Sequence, residues 1–313
     1  MSTPLSLPTS AAQRTISIVG DAWTLRILRT LFRRQRRYGD FLRELGVSRA
    51  VLTDRLANLV AHGVLIRHVK DGHHPEYLLT QCGLDLWTLF LSMWLWETEW
   101  GTGGIEPVFP EVDRPRRLPT HTLCNHTMHP QLKCTHCGIP VLPFDTVGEP
   151  GPGASSAPVQ TTSGFRRARQ EAAITPGRGS SQKLFRLVGD RWNSAIVAAA
   201  FSGVRLFSEF EKNLQIAPSQ LSDRLAELQA LGILRAKAYA GSRQEYHLTR
   251  AGIAVFPITL ELMRWGDQWF WPGAAPVVVR HLSCGHLLTA RWHCSHCQQR
   301  LERKEIHFPE GAA

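Results

Sequence analysis

Displaced by 169 residues, the sequence meets itself without a gap: residues 14–100 match residues 183–269 at 27 of 87 positions. Val19-Gly20-Asp21-Ala22-Trp23 answers Val188-Gly189-Asp190-Arg191-Trp192. Asp54-Arg55-Leu56-Ala57 answers Asp223-Arg224-Leu225-Ala226, and Glu76-Tyr77-Leu78-Leu79-Thr80 answers Glu245-Tyr246-His247-Leu248-Thr249. A period of this length confines the chain to a duplicated fold. A second repeat, offset by 160, pairs His121-Thr122-Leu123-Cys124 with His281-Leu282-Ser283-Cys284, and Cys134-Thr135-His136-Cys137 with Cys294-Ser295-His296-Cys297. The unit is therefore a larger domain with a Cys/His tail, present twice. The expected divisions are a domain at 14–105, a tail at 118–142, a linker at 143–181 rich in Pro, Gly, Ala and Ser, a domain at 182–274 and a tail at 278–304.

Each large repeat has the same order of patterns. Asp21 to Phe32 is apolar at helical spacing, Phe41, Leu42 and Leu45 mark a short second helix, and Gly46-Val47 gives a turn. Ser48 suits the N-cap of a third helix with Leu52, Leu56 and Leu59 on one face, ending at Gly63. Its counterpart has Pro218 in the first turn and the stripe Leu221, Leu225, Leu228. Two short strands, Val64–Ile66 and Tyr77–Leu79, flank the turn-rich stretch 70–75. Gly83 to Trp100 reads as one final helix, apolar nearly all round, which must be covered on more than one side. The fold class is mainly α with small β-hairpins: two winged helix-turn-helix domains, each followed by a small, zinc-ribbon-like tail.

With 313 residues and 43% hydrophobic against 20% charged content, the chain can bury real cores and is not a disordered tail. Its densest apolar stretch, Leu84–Leu95, is too short for a membrane span and carries Asp85, so no membrane partner is expected. Residues 1–12 lack the basic start and apolar core of a secretory signal.

Each repeat resembles the HxlR-type transcriptional regulators, a family of bacterial winged-helix DNA-binding proteins. The motifs that carry the resemblance are Val19–Trp23, Tyr38–Leu45, Leu52–Leu56, and Tyr77–Thr80 followed by Gly83, with Phe207–Phe210 and Tyr246–Thr249 before Gly252 in the second copy. The resemblance implies dimerisation through terminal helices, recognition helices in adjacent major grooves, and a cytoplasmic, nucleoid-associated location. Members often carry a cysteine just before the first helix as a redox sensor. Here Gln13, Arg14 and Thr15 stand there, and Cys82 is the only cysteine outside the tails. Because the two copies are joined, the dimer is expected within one chain, with further association of chains left open.

The net charge of +10 fits a nucleic-acid partner. Residues 14–80 hold 12 basic against 6 acidic residues, and 183–249 hold 9 against 6, so the first repeat carries the greater excess. That excess includes Arg33, Arg34, Arg36 and Arg37, read as phosphate contacts or as a solvated surface. On the third helix Ser48, Arg49, Ala50 and Thr53 are candidate DNA contacts, Arg for guanine and Thr or Ala for a thymine methyl. The second copy offers Pro218, Ser219, Gln220 and Ser222, so the two halves should not read the same half-site. Asp54 and Asp223 would repel phosphate unless paired with a neighbouring Arg, and Arg55 and Arg224 are clamps or phosphate ligands. At the wings, Lys70, His73 and Arg243 are candidates for backbone contact, with His74 and Lys237 nearby.

Within each tail, His-x2-Cys, nine residues, then Cys-x2-Cys supplies two chelating pairs suited to tetrahedral zinc. The expected sets are His121, Cys124, Cys134, Cys137 and His281, Cys284, Cys294, Cys297, with His126 and His286 as alternative fourth ligands. Four protein ligands leave no open position, which favours structural zinc, two ions per chain. Three cysteines per tail do not pair within one tail, and a cytoplasmic setting disfavours disulfides. A metal-dependent enzyme is disfavoured: no acidic residue stands by motif beside a three-ligand site, and no phosphate-binding glycine loop is present. The expected function is a non-enzymatic regulator binding double-stranded DNA. A metal- or redox-responsive sensor and a winged-helix scaffold for proteins are the alternatives.

Overall fold

The computed structural model describes residues 11–33, 36–69, 75–100, 118–154, 184, 187–240 and 243–308, without the side chains of Arg33, Arg36, Tyr239 and Ala240. The first repeat runs α1 (Ala11–Val19), α2 (Ala22–Arg33), β1 (Arg36–Arg37), α3 (Tyr38–Leu45), α4 (Arg49–Ala61), β2 (Leu65–His68), β3 (Glu76–Leu79), α5 (Gln81–Leu84) and α6 (Trp87–Trp100). Its tail holds β4 (Thr120–His121), β5 (His126–Thr127), β6 (Gln131–Cys134), a 3-10 turn (Pro143–Asp145) and β7 (Thr146–Pro150). The second repeat follows with α7 (Arg191–Phe201), α8 (Phe207–Leu214), α9 (Pro218–Ala230), β8 (Leu234–Ala240), β9 (Arg243–Leu248), α10 (Arg250–Ile253) and α11 (Phe256–Phe270). Its tail adds β10 (Val277–His281), β11 (Ala290–His293), a 3-10 turn (Arg303–Glu305) and β12 (Ile306–His307). Among the described residues, no helix is long and apolar enough to cross a membrane.

Each repeat has the winged order of helices followed by an antiparallel hairpin, β2 with β3 and β8 with β9. The basic stretch before α3 adds a third strand: β1 pairs with β3, Arg36 opposite Tyr77 and Arg37 opposite Glu76. The second repeat keeps only an isolated bridge there, Leu206 opposite Glu245.

The final apolar segment is two helices in each repeat, not the single one expected from Gly83 to Trp100. Thr80 caps α5 through its hydroxyl, which accepts from the Gly83 N–H at 3.2 Å. At the break, the Asp85 carboxylate accepts from Arg264 at 2.8 Å and from Trp269 Nε1 at 3.1 Å. In the second copy Pro257 enters the first turn of α11, where its missing N–H is no loss.

One hydrophobic core runs through both repeats, holding Ile16, Leu28, Leu56 and Trp94 with Ile196, Leu225, Leu228 and Trp265. The helices α1 and α6 pack against α11. Trp94 and Trp265 are almost wholly buried. Burial of such a ring, at about 25 cal/mol per Å² over roughly 150–250 Å², is worth about 4–6 kcal/mol before entropy is deducted. The polar contacts across this junction come in pairs related by the repeat offset. Trp96 Nε1 donates to the Ala251 carbonyl at 2.8 Å, and Trp265 Nε1 to that of Cys82 at 2.9 Å. Gly20 and Gly189 abut: a Cβ on Gly189 would lie 2.6 Å from the Gly20 carbonyl oxygen. The repeats thus meet as an internal dimer about a pseudo-two-fold axis.

The tails obey the same axis. β6 and β11 pair antiparallel with Leu132 opposite Trp292, residues that the 160-residue offset relates, so the axis passes between them. β7 pairs with β10, and β12 with β4. The closing strand of each tail therefore adds to the opening strand of the other. This corrects two expectations. The tails interlock instead of standing as separate units, and the segment expected to be a flexible linker from Pro143 is structured through residue 154. Its Thr146–Pro150 backbone completes the ladder of β10, and Gly151 and Gly153 donate to the carbonyls of Pro276 and Ala275. Residues 155–181 of that linker lie outside the described residues.

Candidate DNA-binding face and crossed Cys/His clusters

The helix α4 buries Leu52, Leu56 and Leu59, which leaves Arg49, Ala50, Thr53, Asp54 and Ala57 exposed. Ser48, also exposed, is engaged as the N-cap, its hydroxyl accepting from Val51 N–H at 3.3 Å. Tyr38 braces this end: its hydroxyl donates to the Arg49 carbonyl at 3.0 Å and lies 2.9 Å from Thr53 Oγ1. The Thr53 hydroxyl is thereby engaged by Tyr38. On α9, Leu221, Leu225 and Leu228 are buried, Pro218, Ser219 and Ser222 are exposed, and Gln220 is half-buried.

The repeated Gly-Asp and Asp-Arg-Leu-Ala motifs find their reason here. Asp21 caps α2 by accepting from the N–H groups of Trp23 and Thr24 at 3.0 and 3.1 Å. The same carboxylate accepts from Arg55 Nε at 2.8 Å, which ties α4 to α2. In the second repeat Asp190 caps α7 through Trp192 and Asn193, and Arg224 reaches Asp190 and Glu227, both at 2.9 Å. Arg55 and Arg224 are therefore clamps that set the recognition helices. Arg55 also pairs with Asp54, the alternative the sequence left for that carboxylate.

The other basic candidates divide. Arg37 is half-exposed and pairs with Glu76 at 3.1 Å. Arg243 and Lys237 are exposed on the second wing. Arg34, Lys70, His73 and His74 lie outside the described residues, as do the side chains of Arg33 and Arg36.

The eight expected metal donors are gathered, but not by tail. One group is His121, Cys124, Cys294 and Cys297; the other is Cys134, Cys137, His281 and Cys284, and within each the donor atoms lie within 4.8 Å of one another. Each His-x2-Cys pair thus meets the Cys-x2-Cys pair of the opposite tail. The eight residues of the expected sets cluster, but in a different partnership. The cause is the β6/β11 ladder: Cys134 lies opposite Ala290 at one end and His293 opposite Gln131 at the other, which carries each Cys-x2-Cys knuckle across the axis.

The geometry repeats from site to site. His121 Nδ1 is 3.4 Å from Cys124 Sγ and 3.3 Å from Cys297 Sγ, and Cys124 and Cys294 sulfurs are 3.8 Å apart. His281 Nδ1 is 3.4 Å from Cys284 Sγ and 3.5 Å from Cys137 Sγ, and Cys134 and Cys284 sulfurs are 4.0 Å apart. Both histidines are fully buried, and Nε2 of His281 lies 3.0 Å from Asp145 while that of His121 lies 3.9 Å from Glu305. Burial raises the Cys134 and Cys294 thiols, but the backbone N–H groups of Cys137 and His136, and of Cys297 and His296, outweigh it and bring both below the usual value.

The alternative ligands stand outside the two four-donor groups. His126 and His286 turn Nδ1 to the carbonyls of Cys124 and Cys284, at 2.6 and 2.8 Å. Their rings stack on His296 and His136, centroids 3.4 Å apart in each pair. A smaller three-donor group, Cys124 with His126 and His296, shares one of the thiols. Cys82 is buried and its thiol is pushed up to about 12, by burial first and the Asp85 charge second, so its thiolate is scarce at neutral pH. Sequence reading missed α1, Asp145 and Glu305. The last two are detectable only in that the 160-residue offset relates them.

The HxlR-like helix-turn-helix family model matches residues 18–104 and again 187–273. An uncharacterized HTH-type transcriptional regulator of Mycobacterium tuberculosis (strain ATCC 25618 / H37Rv) is 35% identical over 142 residues, which cover 45% of this chain and 85% of the relative. The HTH-type regulator YvaP of Bacillus subtilis is 33% identical over 94 residues, 29% of this chain and 87% of the relative. The regulator YodB of the same organism is 30% identical over 95 residues, 29% and 85% of the two chains. Each match takes in most of the relative and less than half of this chain: the mycobacterial relative is about half as long as this chain, and the other two about a third.

Proposed function

This chain belongs, twice over, to the HxlR-like helix-turn-helix family, and from that premise we propose that it is a sequence-specific, DNA-binding transcriptional regulator in which one polypeptide supplies both recognition helices. The observation that carries the reading is the pair α4 and α9. Both keep an exposed N-terminal face, both are clamped by the same Arg–Asp contact, and both are mounted on one shared core. The chain acts by binding in the cytoplasm, without catalysis. Lys and Arg neutralise phosphates, and Arg49, Ala50 and Thr53 on one side and Pro218, Ser219, Gln220 and Ser222 on the other meet base edges. Because those sets differ, the target is an asymmetric site with half-site centres about 34–36 Å apart.

The two four-donor groups fit structural zinc. A tetrahedron with Zn–S near 2.3 Å and Zn–N near 2.0–2.1 Å has S···S edges of about 3.8 Å and N···S edges of about 3.5 Å. The observed 3.8 and 4.0 Å, and 3.3 to 3.5 Å, match those edges. Asp145 stands 3.0 Å from the outer nitrogen of His281, the position from which a carboxylate supports a ligating imidazole, while Glu305 lies farther from His121, at 3.9 Å. His121, Cys124, Cys294 and Cys297 would hold one ion, and His281, Cys284, Cys134 and Cys137 the other. A bound ion would contribute folding energy by linking the two tails.

The test is selection of a preferred site from random duplexes, followed by footprinting and measurement of solution mass. One chain protecting an asymmetric site, with affinity falling steeply as salt rises, is the expected result. Arg49→Ala should relax preference at one or two base pairs, worth about 1–3 kcal/mol. A dimer of chains on a perfect palindrome, or an Arg49→Ala variant with unaltered preference at every position, would overturn the reading.

A further inference from the structure

A cavity of about 450 Å³ lies where α5, α6 and α11 meet β11 and the 3-10 turn at Arg303–Glu305. Its size is that of a small-molecule pocket. Its floor is a closed polar network. Both oxygens of the buried Glu261 are taken, one by Trp292 Nε1 at 2.8 Å and the other by Thr88 and Arg264 at 2.6 and 2.7 Å. Arg264 places its remaining donors on Asp85, Gln268 and Thr88 at 2.8 to 3.0 Å. The floor therefore has nothing left to offer a ligand except shape and the flanks of its Trp and Leu walls.

The rim is different. Arg291, Arg300, Arg303 and Lys304 line it with a single carboxylate, Glu302, which Arg300 holds at 3.1 Å. Arg291 donates to the neighbouring carbonyl of Ala290 and, among the described residues, to no carboxylate. Counting the floor, five cations face three carboxylates, so the cavity is left with an excess of two positive charges. Burial, then the charges of Arg300 and Arg264, holds Arg291 below its usual value.

This cluster occurs on one side of the pseudo-two-fold axis only. The repeat offsets place Leu95 opposite Arg264, Ser92 opposite Glu261, Gln131 opposite Arg291, and Pro140, Pro143 and Phe144 opposite Arg300, Arg303 and Lys304. A feature needed merely to hold the halves together would be expected on both sides. The duplicated surface has instead diverged at one place, into a cavity with a buried polar floor and an unneutralised cationic mouth.

We propose that this cavity binds a small organic anion, an apolar body seated between Trp87 and Trp292 with its carboxylate or phosphate held by Arg291 and Arg303. Charge-assisted, forked contacts from arginine suit both head groups. The proposal rests on the regulator reading, for which it supplies an effector site. The site touches α6, α11 and a Cys/His tail together, so occupancy would bias how the two halves, and hence α4 and α9, are set.

The test uses the full zinc-loaded chain with benzoate as the apolar-bodied probe and inorganic phosphate as the bare anion, by calorimetry. Benzoate should bind saturably at one site per chain, and more tightly than phosphate. Arg291→Ala with Arg303→Ala should weaken it about tenfold or more. Gln81→Trp, which fills the mouth without removing a cation, should also abolish binding. Folding is checked by the metal content of each variant, and DNA affinity is measured separately in the absence of either probe. Absence of saturable binding by the parent chain would overturn the proposal. So would benzoate binding that survives both variants, or a double variant whose only change is weaker DNA binding, the sign of a phosphate-contacting rim. Loss of probe binding with DNA affinity intact would support the effector site, whereas failure of the parent chain to bind DNA would count against the regulator reading alone.

Discussion

At the scale of single residues, the repeated motifs turn out to be joints. The Asp21/Arg55 and Asp190/Arg224 pairs each cap one helix and hold another, which explains why Gly-Asp and Asp-Arg recur in both halves. The sequence left clamp and phosphate contact as alternatives for the arginines because helical spacing places Arg55 only at the edge of the buried stripe. Arg224 is nearly buried and bridges two carboxylates, while Arg55 is somewhat more accessible. Arg55→Ala should therefore cost about 1–3 kcal/mol in urea unfolding, and Arg224→Ala more, since both acids it strands are mostly buried whereas Asp54, one of the two partners of Arg55, is exposed. Asp267 gives a pH signature. Burial raises its carboxyl from the ordinary 3.8 to about 7, and its Oδ1 has no hydrogen-bond partner. The folded state then holds a proton that the unfolded state has lost, so stability falls as pH rises from about 4 to about 7. Asp267→Asn should be nearly neutral at pH 3, below both values, and stabilising by about 1–3 kcal/mol at pH 8. An equal effect at both pH values would show that burial does not tune this group.

At the scale of elements, the hydrophobic pattern marked the buried faces of α4 and α9. Leu52, Leu56 and Leu59 define a face whose opposite, Arg49, Ala50 and Thr53, is exposed as expected. The same pattern failed on the final helices. An all-apolar run carries no periodic mark of a break, and the turn at Asp85 depends on Arg264 and Trp269 from the other repeat. The close approach of α1 and the second repeat at Gly20 and Gly189 was equally hidden, because a glycine's reason lies in its neighbour. Gly189→Ala should lower stability by about 1–3 kcal/mol, since its Cβ would press on the Gly20 carbonyl oxygen at 2.6 Å. Gly39→Ala on α3, with nothing within 4 Å of the added Cβ, should instead be neutral or stabilising by about 0.4–1 kcal/mol. Thermal or urea unfolding of the two variants side by side checks the contrast.

At the scale of the whole molecule, duplication has produced a dimer inside one chain, closed at one end by the terminal helices and at the other by exchanged tails. The identity of the eight donors was legible because a three-residue chelate is a local feature. Their partnership was not, because nothing local tells a His-x2-Cys pair which Cys-x2-Cys pair it will meet. That choice is made by the β6/β11 ladder across the axis. The interlock is tested most directly by counting metal in two double variants of the purified chain, Cys124→Ser with Cys294→Ser and Cys124→Ser with Cys134→Ser. If each ion is held by both tails, the first variant damages one site and should keep one zinc per chain, while the second damages both and should keep none. The reverse pattern, one zinc in the second variant and none in the first, would mean that each tail folds around its own ion and would contradict the crossed arrangement.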